Sequence, residues 1–250
     1  MRARSFIAIA MLACAARAET PEQFFDEANQ AYQQGKYPEA IQKYEQILQS
    51  GLLSGELYYN LGNAYYKAGN VSKAILNYER ALKWMPNDED LQHNLQLANL
   101  MITDRIEPAP RLFIWDWWNA IKSAFSLTGI TWLSYMFFVL LSSSIVLTML
   151  AGSYRLRRIG VASAAASVFL LCIGLIIFTG KLNALQSTDA AIVTTSIATA
   201  KNSPDAQSSD AFVLHSGVKV TITDKVNDWL KIRLADGKVG WLEEKAVERI

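Results

Sequence analysis

The chain has 250 residues, of which 51% are hydrophobic and 19% charged, and its formal net charge is +1. So even a balance leaves no electrostatic footprint for nucleic acid. Two cysteines are too few for a disulfide framework or a cysteine-rich zinc module, and the two histidines, His93 and His215, lie far apart. The charges are unevenly spread, because residues 123–154 and 159–180 contain no Asp, Glu, Lys or Arg. Uncharged runs of that length fit membrane spans better than core helices.

Residues 1–18 read as a secretory signal peptide. Arg2 and Arg4 form the positive region, Ser5 to Ala13 the apolar region, and Ala16-Arg17-Ala18 a small-residue cleavage site, so the mature chain is expected to begin at Glu19. The alternative is a lipoprotein signal at Cys14, although Met11-Leu12-Ala13 matches a lipobox poorly.

Residues 19–106 carry an internal repeat. Gly35 recurs as Gly69, Ala40 as Ala74, Ile41 as Ile75, Tyr44 as Tyr78 and Leu48 as Leu82, each pair 34 residues apart. With Leu61-Gly62-Asn63-Ala64-Tyr65-Tyr66, Ala81 and Pro86, this resembles the tetratricopeptide repeat. The spacing predicts repeats over 21–54 and 55–88, with helices near 21–34, 37–50, 55–68 and 71–84, and a capping helix within 89–104. Small residues at Gly62 and Ala74 let paired helices cross closely, and Gly69 suits the left-handed end of a helix. Two repeats and a cap are short for a self-sufficient stack, so a membrane or a partner is expected to complete it. The module is acidic, with 12 acidic and 7 basic residues over 19–105.

The tetratricopeptide resemblance implies a peptide groove lined by the first helix of each repeat. Asn29 and Asn63 share one repeat position, and Asn60 and Asn94 share another. Together with Tyr59, Tyr66 and Lys67 they are the candidate groove residues, and His93 is expected on the same side. The asparagines either bind a peptide backbone or bond within the stack. Phe25 and Tyr59 stand where arrays that clamp a terminal carboxylate carry lysine, which argues against that mode of capture.

Residues 107–126 form a junction. Pro108 and Pro110 end the repeat module, and Leu112-Phe113-Ile114-Trp115-Asp116-Trp117-Trp118 predicts an interfacial helix, since tryptophan favours the headgroup level. An aromatic partner-binding surface is the other reading. Spans are expected over 130–150 and 160–180. The loop 151–159 contains Arg155, Arg157 and Arg158 and no acid, which places it in the cytoplasm and both flanking domains on the far side of a bacterial inner membrane, in the periplasm. Ala162 to Ser167 are all small, which suits close helix packing, either with the first span or with another protein.

From residue 188 the hydrophobic period becomes two. Val218, Val220 and Ile222 alternate with polar residues, as do Leu230, Ile232 and Leu234, and Asp236-Gly237 predicts a hairpin turn. Residues 188–250 are expected to form a small all-β barrel, with a long loop over 202–209. Asp228-Trp229-Leu230-Lys231-Ile232 and Asp236-Gly237-Lys238-Val239-Gly240-Trp241-Leu242 resemble a bacterial SH3 domain. The resemblance makes Trp229 and Trp241 candidates for a ligand surface, for peptide or peptidoglycan. The other readings put Trp241 in the core and Trp229 at the rim.

The fold class is thus a multidomain membrane protein: an all-α repeat module, two transmembrane helices and an SH3-like β domain. The order resembles the BatE-like tetratricopeptide proteins of the bacterial Bat aerotolerance operon. That resemblance implies a scaffold in an envelope complex, with von Willebrand A-domain membrane proteins as partners and a MoxR-type ATPase linked indirectly. A wall-binding role through the SH3 domain is the alternative. No nucleophile–base pairing, metal-ligand spacing or phosphate loop stands out, so neither an enzyme nor a cofactor is expected.

Overall fold

The computed structural model describes residues 21–110, 113, 117, 120, 121 and 124–250. The expected signal peptide, Cys14, and most of the tryptophan-rich stretch, including Trp115 and Trp118, lie outside the described residues. The described residues begin with five helices: α1 (Pro21–Gln33), α2 (Tyr37–Gln49), α3 (Gly55–Lys67), α4 (Val71–Trp84) and α5 (Glu89–Leu100). Their ends follow local chemistry. Ser54, Asn70 and Asp88 each accept a backbone N–H of the following turn, the usual N-cap bond. Gly35 and Gly69 have φ of 75° and 83°, which lets the chain turn out of α1 and α3. Inside the α3–α4 hairpin, a small residue meets an aromatic ring. A Cβ added to Gly62 would lie 2.6 Å from the Tyr78 ring, so that crossing distance admits only glycine.

Two long helices follow, α6 (Leu127–Leu150) and α7 (Tyr154–Gln186), each long and apolar enough to cross a membrane. Most of their large side chains are exposed, among them Trp132, Phe138, Met149, Phe169 and Leu175, a surface that water does not tolerate. They pack on each other along a seam of small residues. Ser163 Oγ bonds Ser144 Oγ at 2.8 Å, Gly160 lies against Thr148, and Gly174 faces Ser134. The partner of the second span is therefore the first span of the same chain, met by Ser163 and Ser167, while Ala162, Ala165 and Ala166 face outward.

The expected loop over 151–159 is corrected by this geometry. Ser153 caps α7 by accepting the Leu156 N–H, and the Arg158 guanidinium lies 5.9 Å from the Tyr154 ring centroid. The helix thus begins before the arginines, and Arg155, Arg157 and Arg158 occupy its first turns. At 1.5 Å per residue α7 is about 50 Å long, beyond the roughly 30 Å hydrocarbon core.

The last domain is one antiparallel sheet of seven strands: β1 (Ala190–Val193), β2 (Ile197–Lys201), β3 (Asp210–His215), β4 (Lys219–Val226), β5 (Trp229–Arg233), β6 (Val239–Glu243) and β7 (Val247–Arg249), in the order β3-β2-β6-β5-β4-β1-β7. The β5–β6 hairpin turns at Asp236-Gly237, with Gly237 at φ 95°. The β4–β5 turn uses Asn227 at φ 52°. Alternation puts Val220, Leu230, Ile232 and Leu242 into the core.

The repeat module and the sheet share buried surface. Ile192 of β1 and Ile250 are part of the helical core, Gly217 lies against Ile102 and Ile75, and Ile106 packs on the β core. Polar contacts ring this contact. Arg80 donates to the Arg249 carbonyl at 2.6 Å, Lys219 pairs with Glu79 at 2.7 Å, and Asp104 accepts the His215 N–H and meets Nδ1 of its ring at 2.9 Å. Burying an isoleucine contributes about 1.5–3 kcal/mol, whereas partly exposed ion pairs contribute about 0–1 kcal/mol, so the apolar contact dominates. The partner that completes the short stack is this chain's own sheet, which covers the outer side of α4 where a further helix would otherwise pack.

Substituting Gly217→Ala places a Cβ against Ile102 at a left-handed backbone position. It should cost about 1–3 kcal/mol. Hydrogen exchange should rise in both α4 and β1, and a rise confined to the sheet would contradict the shared core.

Candidate functional site

The candidate groove residues all stand on α1, α3 and α5, the first helices of each hairpin and the cap. They form two copies of one hydrogen-bonded cluster. Asn29 Oδ1 accepts from the Tyr44 hydroxyl at 2.5 Å and from Asn60 Nδ2 at 3.2 Å. Asn63 Oδ1 accepts from the Tyr78 hydroxyl at 2.8 Å and from Asn94 Nδ2 at 3.0 Å. Every member is displaced by 34 residues from its counterpart. The aromatic packing repeats too, with Phe25–Tyr44 and Tyr59–Tyr78 ring centroids 5.9 and 6.1 Å apart. Asn94 Nδ2 also donates to the Tyr59 hydroxyl at 3.0 Å.

The physical effect is orientation. Tyr44 and Tyr78 are 1% exposed, and burial pushes their phenol pKa values up, so each stays a neutral donor. A fixed O–H fixes which end of the partner amide is the acceptor. The four asparagines are half-buried, as are Tyr59 and Tyr66, while Lys67 and His93 are exposed. The bonds within the stack use the Oδ1 atoms of Asn29 and Asn63 and the Nδ2 atoms of Asn60 and Asn94. The opposite ends of the same amides supply donors at Asn29 and Asn63 and acceptors at Asn60 and Asn94. The sheet's contacts with the helices described above run through α4 and the segment after α5, away from this face.

On the β domain, the alternative reading of Trp241 as a core residue is corrected. Gly240 and Leu242 point inward and Trp241 points to the opposite face, as strand alternation requires. Trp241 pairs with Lys231 of β5 and Lys201 of β2, and Trp229 pairs with Glu243. Cross-strand partners share a face, so Trp229, Lys231, Trp241 and Glu243 form one outer patch. The Lys231 ammonium lies 5.8 Å from the Trp241 ring centroid. Trp229 is half-buried at the rim of two adjoining hollows of about 390 and 630 Å³, which share Ala206, Glu243 and Lys245. The Glu243 carboxylate binds Lys245 at 2.5 Å and raises its pKa. The patch thus offers aromatic faces between charges of both signs.

Among the described residues, no group of three or more His, Cys, Asp or Glu is placed to hold a metal ion. In the sequence Tyr44 and Tyr78 stood only as a recurring pair, without their role in orienting the amides. The signal was present, since the tyrosines recur at the same 34-residue spacing as the asparagines.

Comparison with known families places a tetratricopeptide repeat over residues 25–90 and a bacterial SH3 domain over residues 201–248. No curated protein matches the chain. The chain therefore carries two modules that typically bind and do not catalyse. Ile192 and Ile250, which bring the sheet into the helical core, lie outside the matched SH3 stretch.

Tyr78→Phe removes one hydrogen bond and should cost about 0.5–1.5 kcal/mol, whereas Asn63→Ala strands the buried Tyr78 hydroxyl and should cost about 1–3 kcal/mol. Chemical denaturation of the full chain checks the order, and equal costs would mean that the amide does not hold the phenol.

Proposed function

We propose that the protein is a non-enzymatic, membrane-anchored scaffold that assembles an envelope complex through its repeat module and its SH3 domain. The observation that carries this reading is the shared body: two binding modules, fused through α4, stand at one end of a two-helix anchor. Their ligand faces, the α1–α3–α5 amide face and the Trp229–Trp241 patch, are both left accessible by the fusion. Holding two sites in fixed relation raises the effective concentration at the second once the first is filled.

The proposed location is the bacterial inner membrane with both modules in the periplasm. Arg155, Arg157 and Arg158 support it. Three cations at the N-terminal end of α7 gain nothing from the helix dipole, but they match the cytoplasmic side of a bilayer. The expected domain limits, with the signal peptide at 1–18 and the SH3-like unit at 188–250, belong to the same proposal. The order of modules resembles BatE-like proteins, so the proposed partners are von Willebrand A-domain membrane proteins, with a MoxR-type ATPase acting indirectly. In the groove, outward amide donors at Asn29 and Asn63 and acceptors at Asn60 and Asn94 suit the backbone of an extended peptide, with Tyr59, Tyr66 and Lys67 contacting its side chains.

A photo-crosslinking residue at position 66, activated in intact cells, tests the groove. Capture of a von Willebrand A-type membrane protein, lost on Asn63→Ala, is the expected result. Crosslinks confined to this chain would contradict a partner groove.

The outer patch favours a second reading, in which the SH3 domain holds peptidoglycan. Trp229→Ala should then lower binding of the full chain to purified wall fragments at least about tenfold, as loss of a buried aromatic anchor does. No binding by the unaltered protein would exclude this reading.

A further inference from the structure

The amide face can be followed helix by helix, because residues 34 apart take equivalent places in α1, α3 and α5. The bonds from Asn60 to Asn29 and from Asn94 to Asn63 show that this register holds in space as well as in sequence. Asn29 and Tyr32 on α1 become Asn63 and Tyr66 on α3. On α5 the same two places hold Leu97 and Leu100, and Met101 stands where α3 ends in Lys67. The polar run of the groove therefore gives way to an apolar row at its third helix.

That row is open to solvent, with Leu97 39%, Leu100 60% and Met101 60% exposed. The core side of α5 is a different face, formed by Leu91, Leu95 and Ala98. Nor does the row await a further helix of the stack. In the α3–α4 hairpin, Tyr58 meets Arg80 of the second helix and Gly62 meets the Tyr78 ring. Their equivalents on α5 are Gln92 and Gln96, both exposed. The side on which another helix would pack is polar, as the last helix of a stack requires. The apolar residues stand on the ligand side instead.

The rest of the face is acidic. Glu22, Glu56 and Asp90 share one repeat position, and Asp26 stands where α3 and α5 carry Asn60 and Asn94. All four acids are exposed. Acids in a first turn favour their own helix ends, but among the described residues none of these four is held in an ion pair. Charge complementarity calls for a basic occupant. The repeat module of a second copy carries more acid than base, so it does not meet that demand.

We infer that the occupant of the groove is an extended segment of a partner protein that combines a large apolar side chain with basic ones. The apolar side chain lies on the Leu97–Leu100–Met101 row, which is continuous with the amides, and the basic ones face Glu22, Asp26, Glu56 and Asp90. This rests on the groove reading proposed above and adds the choice of sequence. Amides at Asn29 and Asn63 hold main chain of any sequence, whereas the row and the acids discriminate.

The test pans a phage-displayed library of random peptides against the full chain in detergent. Enriched peptides that still bind both Asn63→Ala and Tyr66→Ala, or no enrichment at all, would overturn the groove reading and this inference with it. If binding does depend on those two residues, the enriched sequences should share a large apolar residue and Lys or Arg. Leu97→Asn gives α5 the residue that α1 and α3 already carry, and should weaken an enriched peptide about fivefold or more. Asp26→Asn likewise copies α3 and α5, and should weaken it about twofold at low salt. Enrichment without the apolar and basic preference, or unchanged affinity in Leu97→Asn, would overturn the inference and leave the groove reading standing. A dimer of the full chain that dissociates on Leu97→Asn, seen by light scattering, would make a second copy the occupant and overturn a partner segment.

Discussion

Everything outside the two long helices depends on one helix that is covered on two sides. In α4, Ser72, Ala74, Ile75, Leu76, Asn77, Tyr78 and Ala81 are all buried, although an outermost helix of a repeat stack normally keeps a polar side. One side meets α3 and α5, and the other meets Ile192 and Ile250 from the sheet. The charged residues Glu79, Arg80 and Lys83 ring that second contact. Also in α4, the buried Asn77 Oδ1 atom has no hydrogen-bond partner among the described residues, a cost of about 1–3 kcal/mol.

This arrangement solves a problem of size. Two repeats and a cap cannot bury their outer helix alone, and a small β domain has a limited core of its own. Each supplies the other's missing surface. The segment after α5 acts as a strap, with Ile102 against Gly217, Asp104 on His215, Ile106 in the β core and the Ala109 N–H bonded to the Ala235 carbonyl. The chain then runs out along α6 and returns through α7 into β1. Both ends of that excursion join the same body.

Much of the architecture was legible in the sequence because each part has its own period. A 34-residue repeat, two uncharged runs and an alternation of two residues mark helix hairpins, spans and strands without reference to tertiary contacts. The errors came where contacts decide. The start of α7 depends on a single serine cap that overrides the reading of three arginines as loop. For Trp241 the sequence left core and surface both open, and register with Lys231 and Lys201 sends it outward. The docking of the sheet on α4 was not read from the sequence, because it rests on contacts between segments far apart in the chain. At the groove, the positions of the asparagines were readable from the repeat. Their orientation was not, because it rests on tyrosines from neighbouring helices.

The fusion of the two modules through α4 is open to direct measurement. Spin labels at Gln42 and Lys238, both exposed, with Cys14 and Cys172 replaced by serine, report the distance between repeat module and sheet by double electron–electron resonance. In the reconstituted full chain a single narrow distance distribution is expected, and it should broaden when Ile192 is replaced by aspartate. A broad distribution in the otherwise unaltered protein would mean that the modules are joined only by flexible tethers, and would contradict the shared core.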